Sequence, residues 1–114
     1  MEKFVVRSLL YDFYGELLTE HQRQVYEEVV FNDYSPSEVA KEAGISRQGV
    51  HDMIKRCGRI LEEYESKLHL VEKFLHIREN VRQIQALTEE TDQESLEVRM
   101  EKIRGIASDI LEEL

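Results

Sequence analysis

The chain has 114 residues, of which 41% are hydrophobic, and a formal net charge of −9. The length fits one domain, and the absence of any apolar run of about 18 residues excludes a membrane-spanning helix. The N-terminal residues lack a signal-peptide pattern, and the single cysteine, Cys57, excludes an intrachain disulfide or a cysteine-based metal site. These features predict a cytoplasmic protein.

The acidic balance is spread unevenly along the sequence. Residues 1–34 carry three basic and seven acidic groups, residues 35–68 carry six of each, and residues 69–114 carry six and eleven. Because contacts to phosphates dominate the affinity for nucleic acids, only the middle third has a charge balance suited to such a partner. Its basic groups are concentrated between residues 47 and 59, with Asp52 as the one acid among them.

Apolar residues follow helical spacing throughout the chain, and the alternation typical of strands is absent, so the predicted fold class is all-α. The first helix is expected over residues 3–18. A second helix should begin at Thr19, because Thr19 and Gln22 form the pattern of a capping box, which satisfies free backbone donors. The expected buried positions of the first helix are Val6, Leu10, Phe13 and Leu17.

Residues 36–55 have the pattern of a helix-turn-helix, preceded by a capping Ser35. Two helices that cross at roughly 90–120° share a small contact, so they need a small residue at the crossing and a glycine in the turn. Ala40 and Gly44 meet these requirements, and Ser46 caps the following helix. An ordinary helical hairpin is the alternative, but apolar residues occupy every remaining contact position: Val39, Ala43, Ile45, Val50 and Met53.

The helix after Ser46 has no clear end in the sequence. One apolar stripe runs from Val50 to Leu75 at intervals of four and three residues, and a second runs from Leu70 to Ile84. Either one long helix changes partners, or the chain breaks, and we favour a break at residues 66–69. A loop is then expected at 88–92.

Thr91 and Glu94 predict a capping box before a last helix, whose apolar residues keep the same spacing as far as Leu114. The sequence therefore indicates a helix-turn-helix domain at residues 1–68 and a helical C-terminal extension at 69–114. A short chain has difficulty burying the stripes of this extension alone, which predicts a homodimer. The alternative is that the last helix folds back and covers the stripe within one chain.

The second helix of a DNA-bound helix-turn-helix lies in the major groove, with its first residues against base edges. Arg47 suits guanine and Gln48 suits adenine, whereas Asp52 repels phosphate unless it accepts a hydrogen bond from cytosine. The alternative for Arg47 is an ion pair with Asp52 or with an acid of the preceding helix. The expected nucleic-acid-binding residues are Ser46, Arg47, Gln48, His51, Lys55, Arg56 and Arg59.

Catalytic patterns are absent from the sequence: it has no glycine-rich phosphate loop, paired-carboxylate signature or nucleophile–base motif, so we expect no enzymatic activity and no cofactor. His69, Glu72 and His76 share a helix face, but a complete metal site normally needs further donors, and we expect surface side chains there. Cys57 lies on the apolar stripe and is expected to be a buried small hydrophobe.

Residues 18–25, 34–40 and 45–50 resemble region 4 of sigma factors. Residues 4–70 as a whole more closely resemble the YlxM-like family of small bacterial helix-turn-helix proteins, most specifically over residues 46–68. This resemblance implies a gene beside those for the signal recognition particle and a regulatory role in that pathway.

Three functions stay open from the sequence. The first is a sequence-specific DNA-binding regulator, which the intact motif and the basic cluster favour. The second is an RNA- or protein-binding accessory component of the signal recognition particle system that uses the helix-turn-helix as a scaffold. The net charge of −9 and Asp52 favour this second function. The third is a dimeric adaptor that binds no nucleic acid.

Overall fold

A computed structural model describes residues 2–89 and 95–114, and in this part of the chain it contains six α-helices and no strand. The predicted all-α class is confirmed. No helix in these residues is long and apolar enough to cross a membrane. The helices are α1 (Lys3–Tyr14), α2 (Glu20–Tyr26), α3 (Pro36–Ala43), α4 (Arg47–Leu68), α5 (Leu70–Glu89) and α6 (Leu96–Glu113). They form two compact units, Met1–His69 and Leu70–Leu114.

The first helix differs from the prediction in both its length and its buried face. α1 ends at Tyr14, and a 3₁₀ turn then leads to Leu18. Tyr14 and Leu18 are buried, whereas Phe13 and Leu17, which apolar spacing had placed in the core, are 38% and 55% exposed. Because the Tyr14 hydroxyl donates a 2.5 Å hydrogen bond to Glu65 of α4, this polar aromatic is buried with its donor satisfied.

A π-helical turn, Glu27–Phe31, follows α2 and was not predicted. Such turns insert an extra residue into a helix and redirect the side chains that follow. Phe31 here packs against two tyrosines, with its ring centre 5.2 Å from that of Tyr11 and 5.9 Å from that of Tyr26. The Tyr11 hydroxyl donates to Glu27, and burial and this hydrogen bond raise its pKa. The turn thus completes an aromatic contact between α1 and α2.

Two predicted helix starts are confirmed. Thr19 Oγ1 accepts from the Gln22 backbone N–H at 3.1 Å, and Gln22 Oε1 accepts from the Thr19 backbone N–H at 2.9 Å, which completes the capping box. Ser35 Oγ accepts from the backbone N–H of Glu38 at 3.2 Å, with Pro36 at the first helical position. These bonds satisfy donors that the helices cannot satisfy themselves.

The predicted break near residues 66–69 is also confirmed. α4 ends at Leu68, and His69 adopts a left-handed conformation with φ of 56°. Its backbone N–H donates to the Glu65 carbonyl at 2.9 Å, so α4 closes with a hydrogen-bonded turn before α5 starts at Leu70.

The loop predicted at residues 88–92 begins too early, because α5 includes Thr88 and Glu89. The Thr88 hydroxyl donates to the Gln85 carbonyl at 2.7 Å, which lets threonine remain within the helix. The capping box expected from Thr91 and Glu94 lies outside the described residues.

The second unit pairs α5 with α6 in antiparallel orientation. His76 Nδ1 lies 2.9 Å from Glu113 Oε1, so the early part of α5 meets the end of α6. Within the described residues, no group of three potential ligands is placed to hold a metal ion. The half-buried apolar residues of the two helices include Ile84, Leu87, Ile103, Ile106 and Ile110, and Leu87 and Ile106 line one groove between the helices.

Cys57 is fully buried within the first unit, as its place on the apolar stripe predicted. Burial raises the pKa of its thiol, so the reactive thiolate is both scarce and inaccessible. We therefore expect a thiol reagent such as DTNB to react with the native protein at least about 100-fold more slowly than with the urea-unfolded chain. Equal rates in the two states would contradict the buried position.

Candidate nucleic-acid interface

The turn between α3 and α4 has the geometry that the helix-turn-helix pattern predicted. Gly44 adopts a left-handed conformation with φ of 71°, and its backbone N–H donates to the Ala40 carbonyl. The Ile45 backbone N–H donates to the same carbonyl at 3.1 Å. A residue with a Cβ is strained in this conformation, so glycine is the residue that the turn requires.

The contact beneath the turn fixes the orientation of α4. Ala40 is the small residue at the crossing, and every apolar position predicted from the pattern takes part. The buried core consists of Val25, Val39, Ala40 and Val50, and the partly buried residues around it are Val29, Ala43, Ile45, Met53 and Ile54. Because both helices and α2 share this core, one side of α4 is held against the domain and the other faces outward.

The first turn of α4 is capped by Ser46, whose Oγ accepts from the Gly49 backbone N–H at 2.9 Å. A Cβ at Gly49 would lie 3.1 Å from this same oxygen. Glycine lowers helix propensity by about 1 kcal/mol relative to alanine, but here it leaves room for the cap. The N-terminus of α4 therefore combines a defined cap with open backbone donors.

The seven residues predicted to bind nucleic acid are all exposed, and all but the capping Ser46 lie on α4. With 100° per residue, most fall within an arc of about 120°, with Arg56 farther round the helix. The opposite side carries the buried Val50, Cys57 and Leu61. We refer to the exposed set as the basic face: Ser46, Arg47, Gln48, His51, Lys55, Arg56 and Arg59.

Asp52 lies beside the basic face and is held by Gln48. Gln48 Nε2 donates to Asp52 Oδ1 at 3.0 Å, which is a different partner from the Arg47 considered from the sequence. In the described part of the chain, none of the four cations of the basic face forms an ion pair. Their charges are therefore available to an external anion, and the Gln48 amide is in part committed.

An acidic boundary ends the basic face, and sequence reasoning missed it. Glu62 and Glu63 are exposed and lie three and four residues after Arg59, so they extend the same side of α4 by one turn. The spacing of these two glutamates from Arg59 could have predicted this boundary from the sequence alone. A phosphate contact is favoured before this turn and opposed beyond it.

Comparisons with known proteins agree with this architecture. Residues 1–103 match the family model UPF0122, described as "Putative helix-turn-helix protein, YlxM / p13 like". A UPF0122 protein of Acetivibrio thermocellus is 40% identical over 114 residues, which cover 100% of this chain and 97% of the relative. One of Caldanaerobacter subterraneus is 46% identical over 83 residues, 73% of this chain and 71% of the relative. The chain therefore belongs to the UPF0122 family of YlxM / p13-like helix-turn-helix proteins.

Proposed function

We propose that this protein is a non-enzymatic regulatory protein that binds duplex DNA by inserting the basic face of α4 into the major groove. The observation that carries the proposal is the two-sided character of α4. Its apolar side is buried in the helix-turn-helix core, while the seven residues of the basic face are exposed together. Such a placement is typical of a recognition helix, whose N-terminal residues contact base edges, and it supports the proposal.

The residues of the basic face divide into two roles by their position along α4. Arg47, Gln48 and His51 lie in the first two turns, where side chains reach base edges, and arginine pairs with guanine in particular. Lys55, Arg56 and Arg59 follow, where they suit flanking phosphates. The capped N-terminus at Ser46 presents backbone N–H groups that also favour a phosphate.

The charge of the whole chain sets the expected strength of binding. Only four cations of the basic face oppose a body whose net charge is −9. Each neutralised phosphate contributes about −0.9 to the slope of log affinity against log salt, so four contacts predict a slope of roughly −3 to −4. Affinity should then fall by roughly 100-fold between 50 and 200 mM salt.

We further propose that the protein acts as a homodimer and that the genes it regulates belong to the signal recognition particle pathway. This proposal is supported by the resemblance of residues 4–70 to the YlxM-like family, and two-fold dimers are the usual form in which such helices engage paired half-sites. A second candidate is an RNA- or protein-binding accessory component of the same system. It is favoured by the acidic surface and by Asp52 beside the basic face.

Fluorescence anisotropy with a labelled duplex of about 25 base pairs tests DNA binding directly. We expect saturable binding at low salt, with the slope given above. No binding at 50 mM salt and 50 μM protein would contradict the proposal. Pull-down of the native protein, with DNase and RNase applied to separate samples, then tests the second candidate. Signal recognition particle RNA would be retained after DNase, and its protein after either nuclease.

Asp52 offers a substitution that should strengthen binding. Asp52→Asn removes a negative charge beside the basic face and keeps an oxygen that can accept from Gln48. We expect duplex DNA affinity to rise by roughly 3- to 10-fold, measured by anisotropy at low salt. Asp12→Asn, an equal charge change at an exposed position on α1, is the matched control and should leave affinity nearly unchanged. Equal effects of the two variants would place Asp52 away from the DNA.

A further inference from the structure

The second unit, Leu70–Leu114, has almost no interior of its own. Val71 is the buried residue of α5, and α6 has none among the residues described. Two packed helices of this length bury too little apolar surface for stability, and units this small usually need a metal, a disulfide or association. The unit has no cysteine, since the one cysteine of the chain is Cys57, and the residues described hold no group that could bind a metal ion.

Large apolar side chains remain exposed on both helices of the unit. On α5 they are exposed by 38–44%, and on α6 by 46–84%. Apart from Val98, they follow one stripe on each helix, adjacent to the side that contacts the other helix. Six residues of these stripes are referred to as the apolar face: Phe74, Val81, Leu96, Met100, Leu111 and Leu114.

The two stripes lie on the same side of the helical pair. At 100° per residue, Phe74 and Val81 lie about 90° around α5 from the side that carries His76 and the half-buried Ile84 and Leu87. On α6, the exposed stripe lies about 90° in the same rotational sense from Ile106. Because α5 and α6 are antiparallel, equal rotations in the same sense bring both stripes onto one surface.

We propose that the apolar face packs against the apolar face of a second copy of this chain, so that the two pairs of helices form a four-helix bundle. This inference rests on the proposed homodimer and assigns its interface. The face presents apolar area on the order of several hundred Å², at the upper end of what monomers commonly leave exposed. That area approaches the roughly 800 Å² per partner of a standard stable interface.

The charges that border the apolar face select how the two copies pair. Arg78, Arg82 and Glu89 border the stripe of α5, which gives that border two positive charges and one negative charge. Glu97, Arg104 and Glu101 border the stripe of α6, with Arg104 paired to Glu101 at 2.9 Å, which gives that border one positive charge and two negative charges. Packing α5 on the partner's α5 would oppose arginines to arginines. Packing α5 on the partner's α6 opposes a border of net positive charge to one of net negative charge, so the bundle places each α5 against the partner's α6.

Two exposed valines of the unit provide a matched test. Val81 is 44% exposed on the apolar face, and Val98 is 46% exposed on the other side of the pair. Sedimentation equilibrium of the full chain should show a dimer of twice the 13.5 kDa chain mass at micromolar concentration. Val81→Glu should weaken the dimer by at least about 100-fold, because a charge is desolvated there, and Val98→Glu should not.

Circular dichroism establishes that each variant is folded. If Val81→Glu loses helicity, the Leu111→Glu variant is used in its place. The Leu111 side chain is 73% exposed and therefore contributes little to the stability of the folded chain. A monomeric wild-type protein at 100 μM, or equal dissociation by the Val81 and Val98 variants, would overturn the proposal. If the dimer interface is wrong but the monomer still binds a short duplex, the proposed DNA-binding function is retained.

Disulfide cross-linking tests the arrangement. His76 of α5 contacts Glu113 of α6. Val81 is five residues after His76, and Ala107 is six residues before Glu113. Because the helices are antiparallel, Val81 and Ala107 lie at about the same height along the pair. A mixture of Val81→Cys and Ala107→Cys chains should form a mixed disulfide-linked dimer on oxidation. Cross-linking of Val81→Cys with itself instead would show α5 on the partner's α5 and overturn the pairing.

Discussion

Duplex DNA affinity is expected to fall at least about 100-fold when Arg56 and Arg59 are both replaced by glutamate. Both side chains are exposed on the basic face, and neither forms an ion pair within the described residues. Each replacement removes a cation that would displace a condensed counterion and adds an anion that repels phosphate. Anisotropy at 50 mM salt measures the loss, and the remaining binding should have a lower salt slope.

The control for this double charge reversal makes the same change in net charge at two positions outside the basic face. Lys3 and Lys67 are exposed in the same unit and lie outside the basic face. Lys3→Glu with Lys67→Glu should lower affinity by less than about 5-fold, through long-range repulsion alone. A loss equal to that of the Arg56 and Arg59 variant would mean that total charge, and not the basic face, governs binding.

Gly44→Val should destabilise the first unit by roughly 2 kcal/mol. The backbone at Gly44 has φ of 71°, where a β-branched residue is strained. Since 1 kcal/mol shifts the melting temperature of a small domain by about 4–8 °C, thermal circular dichroism should show a fall of roughly 10 °C. DNA binding should fall with it, because the angle between α3 and α4 depends on this turn.

Gly105→Ala is the opposite case and serves as the control. Gly105 lies within α6, and a Cβ there would meet no atom within 4 Å. Alanine should therefore raise helix stability by about 0.5–1 kcal/mol. An unchanged melting temperature for Gly44→Val would show that the left-handed turn costs nothing and that the register of the motif is wrong.

Local signals in the sequence predicted the helix starts well. Thr19, Ser35 and Ser46 each cap a helix through a bond to a residue three positions away, so the deciding partner is close in the chain. Leu10 is buried as predicted, but the end of the buried face of α1 was predicted wrongly, because Tyr14 there bonds to Glu65, 51 residues later. The π-helical turn after α2 has no periodic signal either, since tertiary packing around Phe31 accompanies it.

The composition of the basic face could be read from residue types and helical spacing. The exposure of its members follows from the apolar side of α4, which the sequence shows directly. The Gln48–Asp52 hydrogen bond could not be predicted from the sequence, because Arg47 was also a possible partner of Asp52. The conformations of the side chains determine which of the two residues binds the carboxylate. The size of the apolar face also depends on how α5 and α6 pair, which spacing alone leaves open.

Because acidic residues follow Arg59, the exposed side of α4 changes from basic to acidic along the helix. The helix has 22 residues and is about 33 Å long, longer than the stretch one groove crossing engages. Its first half attracts phosphate and Glu62 and Glu63 repel it, so a reversed insertion would drive carboxylates into the DNA backbone. If α4 enters the groove as proposed, this order of charges favours one polarity of insertion, so each copy of the proposed dimer would read its half-site in a fixed direction.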